Sequence, residues 1–162
     1  MRLLVFCLGN ICRSPLAEGA LRARIADSAL AGRVEVDSAG TGGWHAGDPP
    51  DRRAVACARR HGVDIGGQRA RQLLAADADR YDWLLCADAA NLRDARALLG
   101  PERAGKVALL LEWAGLGQGR EIPDPYHGSQ ADFEEVWQLV DAAAQAVIER
   151  LSHAPGSCII AR

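Results

Sequence analysis

The sequence predicts an α/β fold built on a parallel sheet. Short apolar or β-branched runs occur at 2–6, 33–36, 82–87 and 106–111. Each is followed by polar or glycine-bearing sequence and then by a stretch with helical spacing, the alternation that produces parallel strands covered by helices. The length, 162 residues, suffices for one core and leaves little room for a second. Residues 1–153 are therefore expected to form a single domain, with 154–162 as a C-terminal tail.

The elements follow in order. The run Arg2–Phe6 is a buried strand leading into Cys7, and Ser14-Pro15 then places a capping hydroxyl before a proline suited to the first helical position. Leu16, Ala17, Ala20, Leu21 and Ile25 share one face of that helix. Arg33–Val36 is the second strand. A second helix runs from about Pro50, with Asp51 in its first turn, to Arg59, Arg60 and His61 at the negative end of its dipole, where Gly62 terminates it. Asp82–Ala87 is the third strand, and Asn91–Leu99 is a helix stopped by Gly100-Pro101. Lys106–Leu111 is the fourth strand. Ser129 caps the last helix, whose stripe of Phe133, Val136, Trp137, Val140, Ala144, Val147 and Leu151 makes Trp137 a core residue.

Two long segments rich in Gly and Pro, 39–50 and 113–128, are expected to carry function rather than join elements economically. In an open parallel sheet, ligands bind beyond the carboxyl ends of the strands. Cys7, Ser38, Asp88 and Trp113 all lie close after those ends.

Composition narrows the function. A net charge of −2 with mixed signs argues against a general nucleic-acid or membrane-surface binder, and Arg59, Arg60, Arg69 and Arg71 are too few to reverse that. No apolar run approaches the roughly 18 residues of a membrane span, and the start of the chain lacks the pattern of an export signal, so a cytoplasmic protein is expected. The Ala- and Arg-rich composition resembles that of bacteria with GC-rich genomes. Five cysteines at 7, 12, 57, 86 and 158 form neither a disulfide framework nor a paired zinc pattern. His45, His61, His127 and His153 show no ligand spacing, so neither a metal nor another cofactor is expected. Cys57 and Cys86 read as core, and His61 as a contact with a helix end.

The stretch CLGNICRSP, Cys7 to Pro15, carries the chemistry. A strand passing through a short glycine-bearing loop into a helix aims several backbone N–H groups at one point, and the helix dipole adds partial positive charge. Such a nest binds an oxyanion. Arg13 adds a planar fork for two oxygens of a phosphate-like group, which a lysine does not reproduce. The same surroundings favour the thiolate of Cys7 over the thiol, with the Ser14 hydroxyl as donor. Gly9 permits close approach, and Asn10 either holds the loop through its amide or takes a left-handed backbone.

Cys7-Leu-Gly-Asn-Ile-Cys-Arg-Ser-Pro15 resembles the Cys-x5-Arg-Ser-Pro loop of the low-molecular-weight protein tyrosine phosphatases, at the place where that family carries it. Further matches are Asp37–Thr41, Trp44-His45, His61-Gly62, Ala70–Gln72, Cys86–Asp88 with Asn91–Asp94, and Asp124-Pro-Tyr126. The resemblance implies four parallel strands with helices on both faces and the phosphate-binding loop after the first strand. It implies hydrolysis of phosphotyrosine through a phosphocysteine, without a metal. Cys7 is then the nucleophile, and Arg13 with the amides of Leu8, Gly9, Asn10, Ile11, Cys12, Arg13 and Ser14 holds the equatorial oxygens. Asp124, stiffened by Pro123 and Pro125, is the general acid and then the base.

Ile11, Trp44 and Tyr126 are the expected pocket for the phenyl ring, and Ser38 and Asp88 either support the loop or cap locally. Cys12 is either a resolving thiol that forms a reversible disulfide with Cys7 on oxidation or a space-filling residue. The implied partner is a phosphotyrosine-bearing protein, with a bacterial tyrosine kinase as one candidate, and inorganic phosphate is the product. His127 stands where some relatives carry a second tyrosine, and Gly66-Gly67 where some carry a polar residue that supports the loop.

Three other readings compete. Phosphoarginine phosphatases share the fold but tend to carry threonine at the position of Ile11. Thiol-linked arsenate reductases share the loop but need further cysteines on a mobile segment. A catalytically silent phosphate-binding module would not need Cys7, Arg13 and Asp124 together.

Overall fold

Residues 1–154 are described by a computed structural model; the tail from 155 onward, with Cys158, lies outside the described residues. The elements are β1 (Arg2–Cys7), α1 (Arg13–Ala26), β2 (Glu35–Gly40), α2 (Arg52–Arg60), α3 (Asp77–Arg80), β3 (Trp83–Cys86), α4 (Ala89–Leu99), a 3₁₀ turn (Ala104–Lys106), β4 (Val107–Leu109), α5 (Leu110–Trp113) and α6 (Gln130–His153). All strand pairs are parallel, in the order β2-β1-β3-β4. The chain winds to one side of β1 and then to the other, which opens a crevice between the carboxyl ends of β1 and β3.

β1 is central and buried on both faces, so its alternation feeds two cores. Leu3, Val5 and Cys7 join the core under α1, α2 and α6, which includes Leu16, Leu21, Phe133, Val136, Trp137 and Val140. Leu4 and Phe6 join the opposite core with Leu84, Leu109, Ala95, Leu99 and Tyr81. Cys7 therefore leaves the sheet on the α1 side, at the mouth of the crevice. Trp137 is buried, as its place in the α6 stripe predicts.

Several boundaries differ from the sequence reading, each for a local reason. β2 lies later than 33–36 because it pairs with β1 from Arg2↔Glu35 to Cys7↔Gly40, which puts Ser38 inside the strand. An edge strand tolerates the exposed Glu35 and Asp37 that mask its pattern. β4 stops at Leu109, and Leu110 and Leu111 turn into α5, where both are buried. α4 starts at Ala89 rather than Asn91 because Asp88 caps it in a reciprocal pair with Asn91. Asp51 is the cap of α2, accepting from the Arg53 N–H, rather than a first-turn residue. α3, α5 and the 3₁₀ turn are too short for periodicity to announce.

The largest correction concerns α1. Its N-cap is Cys12, with no side-chain cap, and Ser14 sits inside the helix. The Ser14 hydroxyl instead lies 3.1 Å from Cys7 Sγ. The first amides of α1 are thus left without a side-chain acceptor, at the place where an anion is expected.

Candidate active site

The loop between β1 and α1 is held open from behind. Asn10 has a left-handed backbone, φ 57°, a conformation that costs a non-glycine residue on the order of 1 kcal/mol and is offset by its side chain. Its Oδ1 accepts the Arg71 N–H at 3.0 Å, which fixes the amide so that Nδ2 donates to both Ser14 Oγ and Ser38 Oγ, each at 2.9 Å. Ser14, filled by that donor, has its proton free for Cys7 or for the carbonyl of Ala39 at 3.3 Å. On the same side lies Glu18, a buried residue of α1 that the sequence reading did not single out. Burial pushes the Glu18 carboxyl up and Asp37 adds to this, against Arg22 and the Ser38 hydrogen bond. Its signal in the sequence was only an acid in the otherwise buried first half of α1.

The end of β2 must approach the loop closely. A Cβ on Gly40 would fall 2.8 Å from the carbonyl oxygen of Leu8, so only glycine fits there. Thr41 N–H and Gly42 N–H then donate to the carbonyls of Cys7 and Leu8, each at 2.9 Å.

Arg13 is 3% exposed and fully engaged on one side. Its Nη1 donates to Asp88 Oδ2 at 2.6 Å and to the Ile122 carbonyl at 3.0 Å. Asp88 uses its other oxygen to accept the Asn91 N–H at 2.8 Å, so one carboxylate both caps α4 and braces the arginine. The alternatives left open for Asp88, support or local capping, are both realised. Burial works against the Arg13 charge, but Cys7, Asp88 and Asp124 outweigh it and the guanidinium is held more firmly protonated than usual.

Asp124 reaches the same place from the segment after α5. Its Oδ2 lies 3.8 Å from Arg13 Nη2 while Oδ1 accepts the Tyr126 N–H at 3.1 Å, an Asx turn that fixes the carboxylate. With its side chain 48% exposed, it faces the opening rather than the core. The segment is docked by Ile122 N–H donating to the Ala87 carbonyl at 2.8 Å, just beyond β3. Arg53, also not anticipated, holds its far end: Nη2 donates to the Tyr126 carbonyl at 2.9 Å and the guanidinium lies over the Tyr126 ring.

These elements enclose a cavity of about 430 Å³ lined by Cys7, Leu8, Gly9, Ile11, Cys12, Arg13, Trp44, His45, Asp124, Tyr126 and His127. Ile11, Trp44 and Tyr126 are thus brought together as expected. Asn10, Ser14, Ser38 and Asp88 stand behind the lining. Trp113, which the sequence puts just after a strand end, packs in the core beside Trp83 and does not line this cavity.

The other thiols differ from Cys7 in their surroundings. Burial, reinforced by Asp51, pushes Cys12 up to about 12. Burial likewise pushes Cys86 up to about 12 and Cys57 up to about 11. Cys57 lies in α2 outside the cavity, with Sγ donating to the Phe133 carbonyl at 3.5 Å. It also comes within 4.8 Å of ligand atoms of His61 and Glu134, a grouping that resembles a metal site. The Glu134 carboxylate there is already taken by Arg60 Nε at 2.8 Å and His61 Nε2 at 2.7 Å. His61 also stacks on Trp137, with ring centroids 5.0 Å apart, so the cluster ties α2 to α6 rather than merely completing a helix end.

Comparison with known proteins identifies the family and the fold. A family model described as low molecular weight phosphotyrosine protein phosphatase matches residues 2–155. A low molecular weight protein-tyrosine-phosphatase of Streptomyces coelicolor is 43% identical over 150 residues, covering 91% of each chain. The crystal structure of YfkJ from Bacillus subtilis superposes with a TM-score of 0.86 at 36% identity, covering 94% of each chain. That of Vibrio vulnificus Wzb in complex with benzylphosphonate superposes with a TM-score of 0.80 at 33% identity, covering 92% of this chain and 97% of the other.

Proposed function

The chain belongs to the low molecular weight phosphotyrosine protein phosphatase family, and from that premise we propose that it hydrolyses phosphotyrosine in proteins through a phosphocysteine on Cys7. The observation that carries the reading is one cavity in which Cys7 and Arg13 lie at the floor and the Asp124 carboxylate stands 3.8 Å from the arginine.

In the first step the Cys7 thiolate attacks phosphorus in line. The S–P bond forms, the P–O bond to the phenol breaks, and Asp124 in its acid form gives the leaving oxygen a proton. The free amides at the start of α1 and the outer face of the Arg13 fork hold the equatorial oxygens. In the second step the Asp124 carboxylate takes a proton from water, the water oxygen attacks phosphorus, and the S–P bond breaks to return the thiolate and inorganic phosphate. The ring stands among Ile11, Trp44 and Tyr126, and the aliphatic Ile11 favours phosphotyrosine over phosphoarginine. Cys12, protonated and buried, does not compete as nucleophile and serves as the resolving thiol if Cys7 is oxidised. The burial of Cys57 and Cys86 in regular elements counts against an arsenate reductase.

Residues 1–153 act as one domain. The partner is a phosphotyrosine-bearing protein, with an autophosphorylating bacterial tyrosine kinase as the candidate, and the compartment is the cytoplasm. Among the described residues no helix is long and apolar enough to cross a membrane.

Steady-state hydrolysis of p-nitrophenyl phosphate tests the mechanism. Cys7→Ser is expected to lose at least about 10³-fold and Asp124→Ala about 10²- to 10⁴-fold in kcat. Equal activity in all three proteins would sink it, and a strong preference for phosphoarginine in a parallel assay would overturn the substrate.

A further inference from the structure

The cavity does not end at its aromatic wall. Leu8 and Trp44 line it on one side and also line a second depression of about 250 Å³, completed by Gln72, Leu73, Asp94 and Leu98. Asp94 and Leu98 are one turn apart on α4 and so present one edge. Three large apolar residues of this groove are open to water: Trp44 66%, Leu98 47% and Leu8 41% exposed. Single exposed hydrophobics need no explanation, but three around one depression that continues from a substrate cavity mark a contact surface.

The shared wall is braced. A Cβ on Gly42 would fall 1.9 Å from Trp44 Cζ3, so the indole rests against that glycine's backbone, and Gly42 N–H donates to the Leu8 carbonyl at 2.9 Å. Trp44 therefore stands as a partition between the two depressions. Asp94 is the one charged residue lining the groove.

We propose that this groove is a substrate subsite, which takes an apolar side chain one or two positions from the phosphotyrosine in the substrate polypeptide. The inference rests on the phosphatase reading above. A phosphotyrosine ring seated against Trp44 leaves its backbone at the rim, and the next Cα is about 3.8 Å further on, so a neighbouring side chain falls across the indole into the groove. Desolvating an aliphatic side chain against Leu8, Trp44 and Leu98 stabilises the complex, whereas an acidic one meets Asp94 with no cation in the lining. A second copy of the chain is a poorer occupant, because a stable interface needs about 800 Å² per partner and this depression takes little more than one side chain.

The test compares kcat/KM on phosphotyrosine peptides carrying Leu, Ala or Glu at each of two positions on either side of the phosphotyrosine. p-Nitrophenyl phosphate, which has no flanking residue, is the reference. The parent is expected to favour Leu over Glu about tenfold at one of these positions. Leu98→Asp should erase that preference while p-nitrophenyl phosphate turnover stays within about twofold, and Asp94→Lys should raise the rate on the Glu peptide. Peptides turned over without any flanking preference, or a preference unchanged in Leu98→Asp, would overturn the subsite and leave the phosphatase reading intact. A dimer in sedimentation that Leu98→Asp dissociates, with peptide preference unchanged, would assign the groove to a second copy instead. A parent inactive on p-nitrophenyl phosphate would sink the phosphatase reading itself.

Discussion

Glu18 is the residue whose role depends most on its neighbours. The Arg71 N–H fixes the Asn10 amide, Asn10 then donates to Ser38, and Ser38 has one proton left for Glu18. A carboxyl at position 18 is therefore expected to steady Ser38 and, through it, the left-handed Asn10. The folded-state pKa of Glu18 is raised by burial, so its carboxylate costs stability above that pKa and the cost is relieved as pH falls through it. Glu18→Met, which keeps the stem and removes the acceptor, should melt no lower than the parent at pH 7.5 yet lose about tenfold in kcat. Glu18→Gln, which can still accept from Ser38, should restore most of the activity. A Glu18→Met protein with parental kcat would refute the role.

At the scale of elements, Asp88 joins β3, α4 and the loop. Asparagine caps a helix about as well as aspartate, so Asp88→Asn separates its two duties. It should keep the α4 cap, and so most of the stability, but leave Arg13 without its 2.6 Å anionic brace and weaken binding of inorganic phosphate and vanadate. Asp88→Ala should lose the cap as well, a further 1 kcal/mol or so in urea unfolding. The same stability in both variants would mean that the Asn91 pair is not a working cap.

Across the whole molecule, α2 and α6 are clamped by Glu134 with His61 and Arg60. The hydrogen bond with His61, then that with Arg60, holds the Glu134 carboxyl below its usual 4.5, although burial opposes this. Because the folded-state pKa is depressed, the stabilisation is present above the unfolded value and is lost as pH falls through the folded one. Urea midpoints of the parent and Glu134→Gln should therefore differ at pH 6 and converge as pH falls through and below the usual carboxylate range. A gap of the same size at every pH down to acid unfolding would show that the clamp works by packing alone.

The α/β class and the loop that carries Cys7 were legible in sequence because each rests on a local signal, whereas Asp124 was singled out through the family resemblance. Four short apolar runs alternate with helical spacing, and CLGNICRSP compresses strand end, nest and helix start into nine residues. What tertiary structure decided involves residues distant in the chain. Ser14 reads both as a cap and as a donor to Cys7, and the fold keeps only the second because the cap position falls on Cys12. Glu18 looks like an ordinary helix acid until β2 brings Ser38 to it, and Arg53 gains a role only when the 122–126 segment folds back over α2. A sequence determines which groups are present and the local geometry of each. Which of them share a proton or a charge is set by how the strands and crossovers pack, since hydrogen bonds and ion pairs act over a few ångströms of space and not along the chain.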